Sequence, residues 1–453
     1  MKKLVIVGLD CADPALVFDE FSGDLPTLRK LMCESEYGIL QSSIPPITIP
    51  AWMCMLTGKD PGQLGLYGFE HRYGHGYTDT QLATSTLLTY PTVWDALGRS
   101  GLRSIVLGVP MTYPPRPMRG SLISGILTPS DASPYTYPRL LKARIKKWVG
   151  SYRYDIPDFR LRDRSQLIED VRQMTEQRFR LAARLAQSNP WDFLMVVDMG
   201  PDRMHHAFWA DHDPAHPAHD PAGDFRSTLH DYYAFLDAQL GAFLGTLPDD
   251  VTILVVSDHG AQAMHGGFSI NEWLIERGDL VLHQYPKGRI GIDELIRSGT
   301  VDWSRTKAWA TGGYCGRIFL NVQGRQPKGA LLHSDVTAYV DGLACALEAL
   351  QLSSGGHLLQ TRTCRPAEVY REVNGHPPDL LVYFGNLAWR AIGSVGMRQL
   401  QCADNDTGPD QANHRPEGLY IRPPHGRPPG RGPERQITDV HGWILDHFNL
   451  PPA

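Results

Sequence analysis

The chain has 453 residues, of which 42% are hydrophobic and 21% are charged, and this ordinary composition excludes a chain that is disordered throughout. Its 44 Lys and Arg against 49 Asp and Glu give a formal net charge of −5. That balance excludes bulk binding to a nucleic-acid polymer, which needs a concentrated basic surface.

Apolar runs and helical patterns alternate along the chain. Leu4–Leu9 is a continuous, partly β-branched run that is typical of a buried strand in a parallel sheet. Further strands are predicted at residues 104–108, 191–198, 251–257 and 379–384, and helices at 25–32, 92–101, 165–188, 225–247 and 437–448. This alternation predicts an α/β fold with a mostly parallel central sheet and helices on both faces.

Three segments depart from this pattern. Residues 110–163 are rich in Pro, Tyr, Arg and Ser, and residues 275–375 combine weak strands with a helix near 335–350. We interpret both segments as cap insertions of a single catalytic domain spanning residues 1–453. Residues 402–435 carry many Pro, Gly and Arg and are predicted to be rich in loops.

The cysteines and the apolar runs bear on the location of the protein. The seven cysteines are scattered without a C-x-x-C pair, which favours free thiols in a reducing compartment. The first apolar run stops at Asp10, too soon for a signal peptide, and no run approaches the ~18–20 residues of a membrane span. We therefore expect a cytoplasmic protein without a membrane partner.

Acidic and imidazole side chains follow three of the predicted strands. They are Asp10, Asp202, His206, Asp258 and His259. In open α/β sheets ligands bind beyond the carboxyl ends of the strands, so these side chains should meet at one edge. A single carboxylate after a strand is usually a helix cap, but three such positions, two of them with histidine, favour a metal centre. The mixed oxygen and nitrogen donors suit zinc, with manganese as the second choice.

The spacing within this set adds detail. Asp202 and His206 stand at i and i+4, so on a helix they share a face and can chelate one ion. Asp258 and His259 are adjacent, and the residues alone leave open whether they bind one ion or two. We assign no metal site to the His-rich, Pro-broken loop at 211–219.

Thr48 is the candidate nucleophile. Neighbouring prolines restrict its backbone, but a threonine hydroxyl needs a base or a metal to become reactive. From the residues alone we interpret Thr48 as the N-cap of a helix that begins near Pro50. The N-terminus of such a helix would also favour a bound anion.

Five stretches together resemble a known family. They are VIVGLDCADP around Asp10, IPPITIPAWMCMLTGKDPG around Thr48, DRMHHAFW around His206, SDHG at 257–260 and NHRPEGLYI around His414. The set resembles the alkaline phosphatase superfamily and, within it, the type I phosphodiesterase/nucleotide pyrophosphatase branch. The resemblance implies an alkaline phosphatase-like fold, two divalent ions that are usually Zn²⁺, and a phospho-threonine intermediate on Thr48.

The resemblance also implies a division of the ligands. Asp10, Asp258, His259 and the Thr48 oxygen would hold one ion, and Asp202, His206 and His414 the other. His414 rests on the resemblance alone, because its local sequence, Asn413-His414-Arg415-Pro416, is typical of a surface turn.

Two departures leave the substrate open. Ala51 and the pair Leu64-Gly65 stand where nucleotide pyrophosphatases often carry Asn and His-Gly. Tyr67 and Phe69 are candidates for stacking on a nucleobase. His265, Lys59 and Arg415 are candidates for facing a phosphate charge.

The leading hypothesis is a metal-dependent hydrolase of phosphodiester or pyrophosphate bonds in small-molecule, nucleotide-type substrates. A phosphomonoesterase or phosphonate hydrolase on the same centre is the alternative. A catalytically inactive binding protein is the remote alternative, which the retained ligand set disfavours. The sequence leaves the oligomeric state open.

Overall fold

The computed structural model describes residues 3–354 and 357–451. Its helices are α1 Pro26–Glu34, α2 Thr48–Thr57, α3 Pro61–Leu64, α4 Val93–Arg99, α5 Leu141–Val149, α6 Arg164–Ser188, α7 Gly200–His212, α8 Thr228–Leu244, α9 Ile270–Glu276, α10 Ile292–Arg297, α11 Val336–Glu348, α12 Pro366–Val369 and α13 Asp439–His447. Its strands are β1 Leu4–Leu9, β2 Glu36–Gln41, β3 Glu70–Arg72, β4 Thr80–Leu82, β5 Ser104–Leu107, β6 Gly120–Ile123, β7 Thr136–Tyr137, β8 Phe193–Asp198, β9 Thr252–Val256, β10 Gly260–Ala263, β11 Gly266–Ser269, β12 Ala308–Thr311, β13 Gly316–Leu320, β14 Leu352–Ser354, β15 His357–Leu359, β16 Arg362–Cys364, β17 Leu380–Tyr383, β18 Trp389–Ile392, β19 Gln401–Cys402, β20 Ala412–Arg415, β21 Glu417–Arg422, β22 Gly430–Arg431 and β23 Arg435–Gln436.

A large sheet forms the centre of the molecule. Its strands follow the order β22-β2-β21-β9-β1-β8-β5-β6-β7, and β23 also pairs with β2. The inner strands β9, β1, β8, β5 and β6 are all parallel. Two groups of helices flank the sheet: α6, α7 and α8 contact one another and α8 also contacts α1, while α13 contacts α2 and α4 in the second group. β1 and β8 are buried along their whole length, which explains their unbroken apolar sequences. The predicted α/β architecture is confirmed.

Strands near the end of the chain complete this sheet. β21 runs antiparallel between β2 and β9, and its partners include Tyr420 with Val256 and Gly38 with Tyr420. The expectation of a loop-rich segment at 402–435 is therefore wrong for residues 412–422. The short run LYI is surrounded by Pro, Gly and Arg, so the composition of the segment hides the strand.

The predicted insertions contain regular structure of different kinds. Residues 110–163 contain β6 and β7, which extend the central sheet, followed by α5. Residues 268–395 supply a second hydrophobic core, which includes Trp309 and Leu320 and packs around the sheet β12-β13-β17-β16. The helix predicted near 335–350 is α11. The strand predicted at 379–384 is β17, and it pairs with β13 rather than with the central sheet.

Two findings concern membrane spans and disulfides. In the described part of the chain, no helix is both long and apolar enough to cross a membrane. The seven cysteines, all of which lie in that part, are free thiols.

Gly8 is required by a close contact inside the sheet. A Cβ at this position would collide with the Trp52 ring and lie 2.9 Å from Val197 Cγ2. We expect Gly8→Ala to lower the free energy of unfolding by about 1–3 kcal/mol, because the fully buried Trp52 must shift. Chemical denaturation measures this change. Gly23→Ala is the control, because its Cβ meets nothing within 4 Å; an equal loss in both variants would contradict the packing argument.

Candidate metal centre

The first ligand group lies at the ends of two neighbouring parallel strands. Asp10 follows β1, and Asp258 and His259 follow β9, which pairs with β1. All three side chains are fully buried. His259 Nε2 lies 3.2 Å from Asp258 Oδ2 and 4.0 Å from Asp10 Oδ1. One donor atom from each residue therefore falls within 4.8 Å of the others, which is close enough to share an ion.

Thr48 faces this group from the start of α2. The helix begins at Thr48 itself, with Ile47 as its N-cap, so the interpretation of Thr48 as an N-cap is wrong. The buried Thr48 hydroxyl lies 3.4 Å from His259 Nε2, which is the hydrogen-bonding contact of this oxygen in the described part of the chain. The hydroxyl is thus directed at the ligand group instead of at its own helix.

The second ligand group is built from a helix and a late strand. Asp202 and His206 share one face of α7, as the i, i+4 spacing predicts, with Oδ1 and Nε2 3.3 Å apart. His414 Nε2 lies 3.4 Å from the same Asp202 oxygen. His414 is a buried residue of β20, paired with Ala261 just beyond His259. The surface turn expected from its local sequence is wrong, because that strand pairing buries it.

The two groups form one continuous cluster. The rings of His259 and His414 stack with centroids 3.7 Å apart, and Tyr314 stacks on the other side of His414 at 3.7 Å. Asp202, His259 and His414 also have donor atoms within 4.8 Å of one another. His206 joins this cluster through its contact with Asp202. The neighbouring His205 points elsewhere, into the core, where it contacts the Tyr233 hydroxyl at 3.1 Å.

Unpartnered atoms show that the cluster fits divalent cations. Within the described residues, five inward-facing atoms of the cluster have no hydrogen-bond partner: Asp10 Oδ1, Asp202 Oδ1, His206 Nε2, Asp258 Oδ2 and His414 Nε2. Leaving one buried polar atom unpaired costs about 1–3 kcal/mol, so a cation that contacts these five atoms would remove a large cost. Oxygen and nitrogen donors in this mixture are those that bind zinc.

In three of these side chains, the second polar atom forms a hydrogen bond within the protein. Trp52 Nε1 donates to Asp10 Oδ2 at 2.7 Å, and the Cys11 N–H donates to Asp258 Oδ1 at 3.1 Å. His414 Nδ1 donates to the Pro46 carbonyl at 2.8 Å, which leaves its Nε2 as the lone-pair nitrogen. The ligand atoms are therefore oriented before any ion binds.

Burial and neighbouring charges shift the pKa values of the acidic groups in the cluster. Burial raises the pKa of Asp10 well above its usual range, and the Asp202 charge adds to the effect. Burial likewise raises the pKa of Asp258, with Asp10 as the second cause. Burial opposes ionisation of Asp202 as well, but His206 and Arg203 hold its pKa well below the ordinary value.

The pKa values of two imidazoles are lowered, which is the direction that favours metal binding. Burial lowers the pKa of His259 well below its usual range and lowers the pKa of His414 to about 4. Both rings are therefore neutral at pH 7, which is the form that binds metals.

A cleft of about 840 Å³ opens beside the cluster. Ile47, which precedes Thr48, and Tyr314, which stacks on His414, both line it. Of the two candidates for nucleobase stacking, Phe69 lines the cleft. Tyr67 is buried, and its hydroxyl donates to the Asn374 carbonyl at 2.7 Å.

The charged candidates lie outside the cleft lining. The His265 ring lies 6.5 Å from that of His216, Lys59 lies over the Tyr90 ring, and Arg415 pairs with Glu417. Phe69 is therefore the one candidate substrate residue that the described part of the chain places beside the cleft.

Sequence reasoning missed several residues around the ligands. Arg160, Arg390 and Asp410 lie around His206 in segments without a recognisable motif, and Tyr314, an aromatic residue near the motif segments that the sequence assigns to core packing, stacks on His414. The position of Asp410, four residues before His414, is the one local signal that could have drawn attention to it.

Comparisons with known proteins show the family and the fold of the chain. A family model described as type I phosphodiesterase/nucleotide pyrophosphatase matches residues 4–410. No curated protein matches the chain. Phosphonoacetate hydrolase from Sinorhizobium meliloti 1021 in complex with phosphonoacetate is 15% identical, with a TM-score of 0.63 over 98% of this chain and 96% of that chain. Human ectonucleotide pyrophosphatase/phosphodiesterase 5 is 10% identical, with a TM-score of 0.54 over 100% of this chain and 96% of that one. At such identities these similarities show the fold alone.

Proposed function

Because the chain belongs to the type I phosphodiesterase/nucleotide pyrophosphatase family, we propose that it is a bimetallic hydrolase of phosphodiester or pyrophosphate bonds with Thr48 as its nucleophile. One observation carries the proposal: five buried donor atoms without a hydrogen-bond partner belong to the same cluster as His259, and the buried Thr48 hydroxyl lies 3.4 Å from Nε2 of that histidine. Zinc is the expected metal, with manganese as the second choice.

The ligands divide between two ions. Asp10, Asp258, His259 and the Thr48 oxygen would hold one, and Asp202, His206 and His414 the other. When bound, such a pair supplies Lewis acidity that lowers the pKa of a hydroxyl and stabilises charge on the leaving oxygen.

The chain's own residues then supply position and the nucleophile. Thr48 Oγ1 forms a bond to phosphorus and gives up its proton to solvent, while the bond from phosphorus to the leaving oxygen breaks and that oxygen takes up a proton, which gives a phospho-threonine and a free alcohol or phosphate. Water cleaves that ester and regenerates the hydroxyl. His259 donates from Nδ1 to the Gly260 carbonyl at 3.2 Å, so its Nε2 faces Thr48 in a fixed orientation. The N-terminus of α2 favours the phosphate charge beside Thr48.

A specific residue favours a second candidate. Arg317 lines the cleft, and within the described residues its side chain forms no ion pair or hydrogen bond, whereas the neighbouring Arg160, Arg203, Arg289 and Arg390 are all paired with acids. A free guanidinium there suits a substrate with an additional anionic group. A phosphomonoesterase or a phosphonate hydrolase is therefore the alternative.

Metal analysis and a substrate panel test the proposal together. We expect about two zinc ions per chain. We also expect a higher kcat/KM for bis-p-nitrophenyl phosphate than for p-nitrophenyl phosphate or phosphonoacetate, because only the first of these three compounds is a phosphodiester. A preference for the monoester or the phosphonate would select the alternative. Protein that holds no metal after zinc addition would rule out the centre.

We also propose a small phosphoester as the substrate partner and a cytoplasmic location. The net charge of −5 disfavours a nucleic-acid polymer, and the free cysteines support a reducing compartment.

A further inference from the structure

A short segment of the chain contacts the supports of two ligands at once. Residues 155–160, here called the positioning segment, line one wall of the cleft. Asp155 stands at its start and Arg160 at its end. Neither residue touches the ligand atoms, but each is linked to a ligand through one intermediate side chain.

The first link runs from Asp155 to Asp202. Arg203 donates to Asp155 through Nε at 2.7 Å and through Nη2 at 2.9 Å. The same guanidinium donates from Nη1 to Asp202 Oδ2. Arg203 is buried, so this bidentate pairing fixes its plane and, through it, the Asp202 carboxylate. Asp202 Oδ1 is left to face His206 and His414.

The second link runs from Arg160 to His206. Arg160 Nε donates to Asp410 Oδ2 at 2.6 Å, and Arg390 Nη2 lies 2.9 Å from the same oxygen. The other Asp410 oxygen accepts from His206 Nδ1 at 2.8 Å. Since Nδ1 carries the proton, Nε2 presents its lone pair to the centre.

Phe159 connects the two links. Its ring lies under both guanidinium groups, with the Arg160 and Arg203 carbons 4.3 and 4.6 Å from its centroid. The same ring packs against His206, with centroids 5.9 Å apart. The positioning segment therefore contacts His206 and the side chains that support His206 and Asp202 as one packed unit.

We propose that residues 155–160 position one half of the metal centre, with Asp155 and Arg160 as positioning residues for Asp202 and His206. The inference rests on the proposed function. Asp155 and Arg160 then support binding of the ion held by Asp202, His206 and His414. They do not affect the ion held by Asp10, Asp258 and His259.

Zinc affinity in the full-length protein tests this assignment. Asp155→Asn and Arg160→Gln should each weaken one of the two zinc affinities by about 10- to 100-fold, as loss of an outer support does, and leave the other unchanged. Competition with a chelator measures both affinities. Cobalt-loaded protein gives a second readout, because its visible spectrum should change only for the weakened ion, and Arg160→Lys should restore part of the affinity.

Arg164→Gln is the matched control. Arg164 pairs with Asp211 on α7, the helix that carries Asp202 and His206, but contacts none of the ligands. Unchanged zinc affinities in both test variants, or an equal loss in the control, would overturn the positioning role. Wild-type protein without two zinc ions would instead overturn the proposed centre, so the two failures are distinguishable.

Discussion

Thr48→Ala should reduce diester turnover by at least about 10³-fold, because it removes the hydroxyl that α2 directs at the centre. Zinc content should remain nearly unchanged, since three protein side chains still hold each ion. Folding should be little affected, because Thr48 is not the N-cap of α2 and the contact that alanine would lose is the 3.4 Å approach to His259. Steady-state kinetics and metal analysis on the same preparation give both quantities.

Thr48→Ser separates the hydroxyl from the shape of the side chain. Serine keeps the nucleophilic oxygen, so turnover should stay within about tenfold of wild type. Full activity of the alanine variant would exclude Thr48 as the nucleophile. Equal losses in the serine and alanine variants would show that the methyl group, and not the oxygen, is what the site requires.

Asp258→Asn should have opposite effects on the metal-free and the metal-loaded protein. Asp258 and Asp10 are buried acids whose pKa values are raised by burial and by neighbouring acidic charges. Asparagine removes that repulsion and can still accept the Cys11 N–H. The metal-free protein should therefore become more stable, while the stabilisation contributed by the zinc ion that Asp258 holds, about 4 kcal/mol at a thousandfold excess over Kd, should be lost.

The raised pKa values of Asp10 and Asp258 also predict how the stability of the metal-free protein changes with pH. An acid whose pKa is raised by folding stabilises the folded protein below its unfolded pKa, and this contribution disappears as the pH rises through the folded pKa. Metal-free wild type should thus lose stability from this pair between acidic and alkaline pH, and Asp258→Asn should lose less. Thermal unfolding at an acidic and at an alkaline pH, with and without zinc, measures this loss of stability.

An exposed acid provides the control for charge alone. Asp249→Asn removes one carboxylate from the surface and should change neither the metal-free stability nor the zinc effect. An undiminished zinc-induced shift in Asp258→Asn would contradict its assignment as a ligand.

Sequence patterns were sufficient where local periodicity and sheet geometry acted together. The apolar runs before Asp10 and Asp258 identify parallel strands, and parallel strands bring their carboxyl ends to one edge. Helical spacing likewise placed Asp202 and His206 on one face. These features depend on fewer than about ten consecutive residues each, so pattern recognition captures them.

Contacts between distant segments were not predictable in this way. His414 becomes a site residue only because β20 pairs with β10, and no local feature specifies that pairing. Arg160 and Asp410 are 250 positions apart in the sequence, yet they form a buried ion pair. Thr48 shows a smaller error, since the helix starts at Thr48 and not near Pro50, as helix ends commonly shift by one or two residues.

The late position of β20 and β21 determines when the metal centre can assemble. β21 fills the place between β2 and β9, and β20 brings His414 beside His259. During synthesis, β2 and β9 emerge long before their shared neighbour, so their edges stay unpaired and open to wrong strand pairing. Metal capture by the proposed ligand set therefore requires a chain that extends past His414. Ribosome-bound fragments that end before residue 412 would expose both edges and hold an incomplete centre.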